Sequence, residues 1–113
     1  MRYKAAVAWR VDILNETVAA EIAALPEDMQ ARFLRLVDRI IAAGLQSLGE
    51  PHVKQLEGKL WELRLTGRDG IARALYVTAT GQRVVVLRAF VKKTQKTPPA
   101  EIQLALRRAK DIR

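Results

Sequence analysis

The chain contains no cysteine and a single histidine, and aromatic residues make up only 5% of it. Without cysteine there are no disulfides, no thiolate zinc site and no cysteine nucleophile. One histidine excludes a histidine-based metal centre and a two-histidine acid/base pair; His52 follows Pro51 in a connector and is expected in an exposed loop. No serine-centred constellation supports nucleophilic catalysis. Apolar runs fall short of the ~18 residues of a membrane span, and Met1–Arg10 lacks the apolar core of a signal peptide. The glycines show neither Walker nor dinucleotide spacing, and Gly67 and Gly70 belong to a turn. No repeat, low-complexity stretch or linker is present. These absences leave one cytoplasmic domain over residues 1–113, with no membrane partner and no call for a metal or cofactor.

A 12.7 kDa chain exposes about 6,200 Å² when folded and about 18,000 Å² when open, so roughly two-thirds of its surface is available to one core. Hydrophobic content of 50% excludes a disordered tail despite a net charge of +8. Acidic residues are scarce in one half only. Residues 1–50 hold 6 basic and 7 acidic side chains, whereas residues 51–113 hold 14 basic and 5 acidic. A surplus confined to one half points to a polyanion, either nucleic acid or an acidic protein segment, or else to a solvated basic face that keeps the domain soluble; composition does not decide between them.

Residues 1–8 form a weak leader. Trp9, Val11 and Ile13 alternate with Arg10 and Asp12, predicting a short first strand. Asn15 is placed to cap a helix bearing Val18, Ile22 and Leu25 on one face. Pro26, Glu27 and Asp28 suit the start of a second helix, along which Met29, Phe33, Leu36, Val37 and Ile40 recur at helical spacing until Gly44. Arg32, Arg35 and Arg39 are expected on its solvated face. The period then changes to two: Trp61–Thr66, Ile71–Val77 and Arg83–Val91 read as a meander turning at Gly67–Gly70 and Thr80-Gly81, with a short edge pairing at Val53–Leu56. A basic connector, Lys92–Pro99, leads to a last helix with Ile102, Ala105, Leu106 and Ala109 inward and Arg107, Arg108 and Lys110 outward. The expected fold is α+β, with a helical hairpin on one face of an antiparallel sheet.

Register sharpens the charge argument. Pairing Thr66 with Ile71 sets Arg64 opposite Arg73, Glu62 opposite Leu75 and Trp61 opposite Tyr76. Pairing Ala79 with Gln82 sets Arg73 opposite Arg88, with Phe90 and Lys92 on the same face and Val85, Leu87 and Ala89 on the core face. Like charges directly opposite on a sheet destabilise it by roughly 0.2–1 kcal/mol each, and Glu62 neutralises only one of three. Two readings fit: an anion such as phosphate supplies the missing negative charge, or the arginines snorkel outward and serve only solubility. Trp61 and Tyr76 belong to the core rather than to base stacking, and Phe90 is expected to pack beneath the last helix.

Three segments carry a family resemblance: Leu56-Glu57-Gly58-Lys59-Leu60-Trp61-Glu62-Leu63-Arg64, Arg73-Ala74-Leu75-Tyr76, and Phe90-Val91-Lys92-Lys93-Thr94-Gln95-Lys96-Thr97-Pro98. Together they look like a HigB-like toxin, of the phage-related branch of the RelE/ParE toxin superfamily. The resemblance implies a RelE-like fold: an N-terminal strand and helical hairpin on an antiparallel sheet, then a C-terminal helix. It also implies a ribosome-dependent mRNA endonuclease in which the substrate 2′-OH attacks the adjacent phosphate, without a metal, inhibited by a helix-turn-helix antitoxin. On that reading Arg64, Arg73 and Lys92 are catalytic, Arg88, Lys93, Lys96 and Arg68 bind nucleic acid, and Glu62 is the candidate base; a lysine whose pKa is lowered by cationic neighbours is another proton acceptor. The chain departs from the pattern in having no aromatic residue after Lys93 and in carrying Arg88 where many relatives have histidine. A ParE-like gyrase inhibitor and a non-catalytic phage-related RNA-binding protein are the alternatives.

Overall fold

The computed structural model describes residues 8–93 and 95–113; most of the leader and Thr94 of the basic connector lie outside the described residues. Alternating apolar residues form β1 (Arg10–Ile13). Asn15 then caps α1 (Glu16–Ala23), its Oδ1 accepting the Val18 N–H at 3.0 Å. Pro26 opens α2 (Glu27–Ala43), whose first turn carries Glu27 and Asp28. Gly44 ends α2 at φ +88°, a conformation that favours glycine, and its N–H closes on the Ile40 carbonyl. After a short 3₁₀ turn come β2 (Val53–Glu57), β3 (Leu60–Gly67), β4 (Gly70–Ala79), β5 (Arg83–Lys92) and α3 (Pro99–Arg108). The expected α+β architecture is present, and the edge pairing at Val53 is a full strand.

The five strands are ordered β1-β5-β4-β3-β2, with β1 parallel to β5 and the remaining neighbours antiparallel. Helices α1 and α2 cover one face. Val18, Ile22, Met29, Phe33, Leu36 and Ile40 close there over Leu63, Leu65, Ala74, Tyr76, Val84 and Val86. α3 covers part of the other face, where Ile102, Ala105, Leu106 and Ala109 pack on Leu60, Leu75, Val77, Val85, Leu87 and Phe90. Beyond α3 that second face is polar, and this uncovered portion holds the charged residues.

The β3–β4 register matches the expected pairing: Arg64 opposite Arg73, Glu62 opposite Leu75 and Trp61 opposite Tyr76. Gly67 pairs with Gly70, which puts Arg68 and Asp69 at the tip. A Cβ on Gly67 would stand 2.7 Å from Asp28 Oδ2 and 2.8 Å from Met29 Cγ, so only glycine lets this turn seat on the start of α2. The Arg68 N–H donates to Asp28 Oδ2 at 2.6 Å and holds the Asp28 carboxyl below its ordinary range.

The β4–β5 register differs from expectation. Ala79 pairs with Arg83, not Gln82, because both Gly81 (φ +82°) and Gln82 (φ +56°) are left-handed and lengthen the turn by one residue. That slip alone would send Arg88, Phe90 and Lys92 to the wrong face. A bulge reverses it: Tyr76 pairs with Val86 and Leu75 with Arg88, leaving Leu87 as the extra residue. Arg73 therefore faces Phe90, not Arg88, while Arg88, Phe90 and Lys92 keep the Arg73 face. The same shift moves Val85 and Leu87 to the α3 side. Val84 and Val86 take their places under α1 and α2.

Three further expectations differ from the structure. Arg108 does not point outward: its Nη1 donates to the Leu87 carbonyl at 2.8 Å and meets Glu21 at 3.0 Å. β1 ends too early to pair with this part of β5, and the side chain occupies the open edge. His52 is half-buried, its carbonyl accepting the Arg64 N–H at 2.8 Å. On α2, Arg35 and Arg39 are exposed as expected, but Arg32 is half-buried.

Candidate active site

Glu62 is the anchor of the polar half-face. Its carboxylate is 1% exposed, fixed on β3 between apolar Trp61 and Leu63. Oε2 lies 2.9 Å from Arg73 Nε and 3.2 Å from Arg64 Nε. Oε1 accepts the Thr97 hydroxyl, drawing the end of the connector onto the sheet. One carboxylate thus holds cations from two strands and a hydroxyl from the segment before α3.

The charges do not balance. Arg73 is 4% exposed; its Nε meets Glu62 as an ion pair, and neither Nε nor Nη1, both buried, has a well-formed hydrogen bond among the described residues. Burial lowers its pKa, Glu62 opposes that fall, and the Arg64 charge adds to it. Lys92, opposite Ile71 on β5, is held below the usual lysine range by burial first and then by the Arg73 charge; Arg64 and Lys54 act in the same direction, and Glu62 opposes. Arg73 and Lys92 line a depression of about 320 Å³ together with Gly70, Ile71, Lys93 and Gln95. A desolvated guanidinium lacking an acceptor, beside a lysine whose charge is disfavoured by burial and by positive neighbours, is an arrangement that can accept an anion.

The structure thus brings Arg64, Arg73, Lys92 and Glu62 together, with Lys93 on the same depression and Lys96 on an adjoining one. It does not bring in Arg68, which sits exposed at the β3–β4 tip, 3.9 Å from Asp69. Arg88 is also committed elsewhere. It makes a bidentate pair with Glu101 of α3 (2.7 and 3.1 Å), meets Glu21 of α1 at 3.1 Å and lies 5.5 Å over the Phe90 ring. The Glu101 hydrogen bonds raise its pKa despite burial. This network ties both helical layers to β5, so Arg88→Gln is expected to cost about 2–4 kcal/mol of stability by stranding the carboxylates. RNA affinity should change little; chemical denaturation and a filter-binding titration measure the two effects.

Thr97, Gln95 and Lys54 were not among the sequence candidates. Lys54 was within reach of register reasoning, since β2 sets it opposite Glu62. Thr97 and Gln95 carry no local signal, because only the path of the connector decides what they touch.

Residues 20–110 match the family described as phage-derived protein Gp49-like (DUF891). The chain belongs to that family. It is 34% identical over 86 residues to the Mycobacterium tuberculosis protein described as probable endoribonuclease HigB1, in strain CDC 1551/Oshkosh and again in H37Rv. That alignment covers 76% of this chain and 66% of each relative. The chain is also similar to one in the crystal structure of the archaeal RelE–RelB complex from Pyrococcus horikoshii OT3. The TM-score is 0.54 at 25% identity, covering 74% of this chain and 94% of the archaeal one. The Gp49-like chain thus resembles HigB- and RelE-type proteins, and its fold is RelE-like, as the three sequence segments implied.

Proposed function

We propose that this chain is an antitoxin-controlled toxin that cleaves mRNA on the ribosome. The observation that carries the reading is the buried Arg73 guanidinium, half satisfied by Glu62 and short of an acceptor at Nη1, on a depression it shares with Lys92 and Lys93. Phosphodiester RNA supplies the missing acceptor.

In the proposed reaction the 2′-oxygen bonds to the adjacent phosphorus and the bond to the 5′-oxygen breaks. The products are a 2′,3′-cyclic phosphate and a free 5′-hydroxyl. The nucleophile belongs to the substrate, so the protein needs only cations for the phosphorane and carriers for two protons. Arg64 and Arg73 are the cations. Lys92 is the better proton acceptor: burial and its cationic neighbours favour the neutral amine, whereas both oxygens of Glu62 are occupied by Arg64, Arg73 and Thr97; water protonates the departing 5′-oxygen. Glu62 positions the arginines instead. A protein partner covers the basic half-face in the resting state; the archaeal RelE-like chain was solved as a RelE–RelB complex, and a helix-turn-helix antitoxin is the expected partner here.

The test is addition of the purified chain to a translating extract, followed by mapping of transcript ends. Cuts within translated codons support the reading. Intact transcripts together with blocked gyrase supercoiling would overturn it in favour of a gyrase poison, and binding without cutting in favour of a non-catalytic RNA-binding protein. Because the Lys92 pKa is depressed, the cleavage rate should rise with pH up to that pKa and then level off. Lys92→Arg keeps the charge but cannot release its proton, so it should remove the rise. A single-turnover pH series measures this.

A further inference from the structure

Beside the Arg73 depression lies a second one of about 210 Å³. The two share Lys92 and Gln95. Leu56 of β2 and Ile102 of α3 supply apolar wall, Thr97 and Glu62 lie at its inner end, and Lys54 and Lys96 stand on it as cations. The first depression is charged and suits a phosphate. The second is also charged, with three lysines and Glu62, but it adds the apolar wall and a second amide, Gln55, and that combination suits a planar heterocycle carrying hydrogen-bonding edges beside a phosphate.

We infer that the second depression is a nucleobase subsite and that the Gln95 side-chain amide is the group that discriminates between bases. The inference rests on the reading of the first depression as a phosphate site for RNA. A chain anchored there by its phosphate passes Lys92 and Gln95 and presents the neighbouring base to the second depression. No aromatic residue lines either depression, so stacking, which accepts every base, is not the source of recognition there. Lysines only donate, and so read acceptors and charge. An amide presents a donor and an acceptor side by side and distinguishes base edges. Two glutamines line this depression. Gln55 already donates to the Gly58 carbonyl at 2.8 Å, whereas Gln95 is exposed and makes no hydrogen bond to another described residue. Its position on both depressions places it where phosphate and base diverge.

The test uses the full chain and fluorescent 2′-O-methyl hexamers of A, C or U, which bind without being cut. For the wild type, the best and worst hexamers should differ by about fivefold or more, the discrimination of one good bidentate pair. In Gln95→Leu, a surface change of similar size, that spread should collapse to about twofold or less, with the mean affinity retained by the phosphate contacts. Equal affinities in the wild type overturn the inference, since a basic face that binds any polyanion is then enough. A spread that survives Gln95→Leu also overturns it. The phosphate reading is checked separately by Arg73→Met, which should weaken all three hexamers alike. If Arg73→Met leaves them unchanged, the phosphate site itself fails; if only the Gln95→Leu result fails, the base subsite alone falls.

Discussion

Arg73→Met should lower mRNA cleavage by about a hundredfold to a thousandfold, the loss seen when one preorganised donor to a developing oxyanion is removed. Methionine fills much of the volume of the arginine stem, and Glu62 keeps Arg64 and the Thr97 hydroxyl as partners. The fold should therefore survive, with a stability change under about 2 kcal/mol, because the variant also removes a desolvated cation whose Nη1 lacks a partner. Transcript-end mapping and a thermal melt give the two readings. Cleavage at the wild-type rate by a folded Arg73→Met chain would sink the assignment of Arg73 to the phosphate.

The second large effect is on stability. Glu62→Gln should cost about 3–5 kcal/mol, since it leaves Arg73 buried and Arg64 half-buried with no counter-charge from the protein. Activity should fall with it, because both guanidiniums lose the group that aims them. The double variant Glu62→Gln/Arg73→Met should recover part of the lost stability, as the stranded buried cation is then gone. Denaturant unfolding of the four chains closes this cycle. A Glu62 acting only as general base predicts the opposite pattern, with the rate lost and stability unchanged within about 0.5 kcal/mol. The two roles of Glu62 are thus separated by a measurement that involves no RNA.

The charge asymmetry, the order of elements and the β3–β4 register were all legible in the chain. Each is a short-range property. Helical and two-residue periodicities are written in neighbouring side chains, and a hairpin whose ladder closes at Gly67 and Gly70 leaves little freedom in pairing. Arg64, Arg73 and Glu62 were consequently placed together from the sequence. The grouping of Lys92 with them also agrees with the structure, but for a reason the sequence does not display. The longer turn at Gly81 and Gln82 shifts β5 by one residue, and the bulge at Leu87 shifts it by one more. Two offsets of one restored the parity that an unbulged two-residue turn would have had.

What the sequence alone determined about this protein is that a basic second half folds as a β-meander with arginines gathered on one sheet face. Family membership follows from the same segments. Which of those cations are available depends on contacts made across the fold. Arg88 looked equivalent to Arg73, yet Glu21 and Glu101 reach it from two different helices, and no local pattern shows residues 67 and 13 positions away converging on one guanidinium. Conversely, Glu62 looked able to balance one arginine and in fact serves two, with Thr97 holding its other oxygen. Charge is counted along the chain, but its neutralisation depends on distances in space. The candidate site is where that neutralisation falls short, at Arg73 and Lys92.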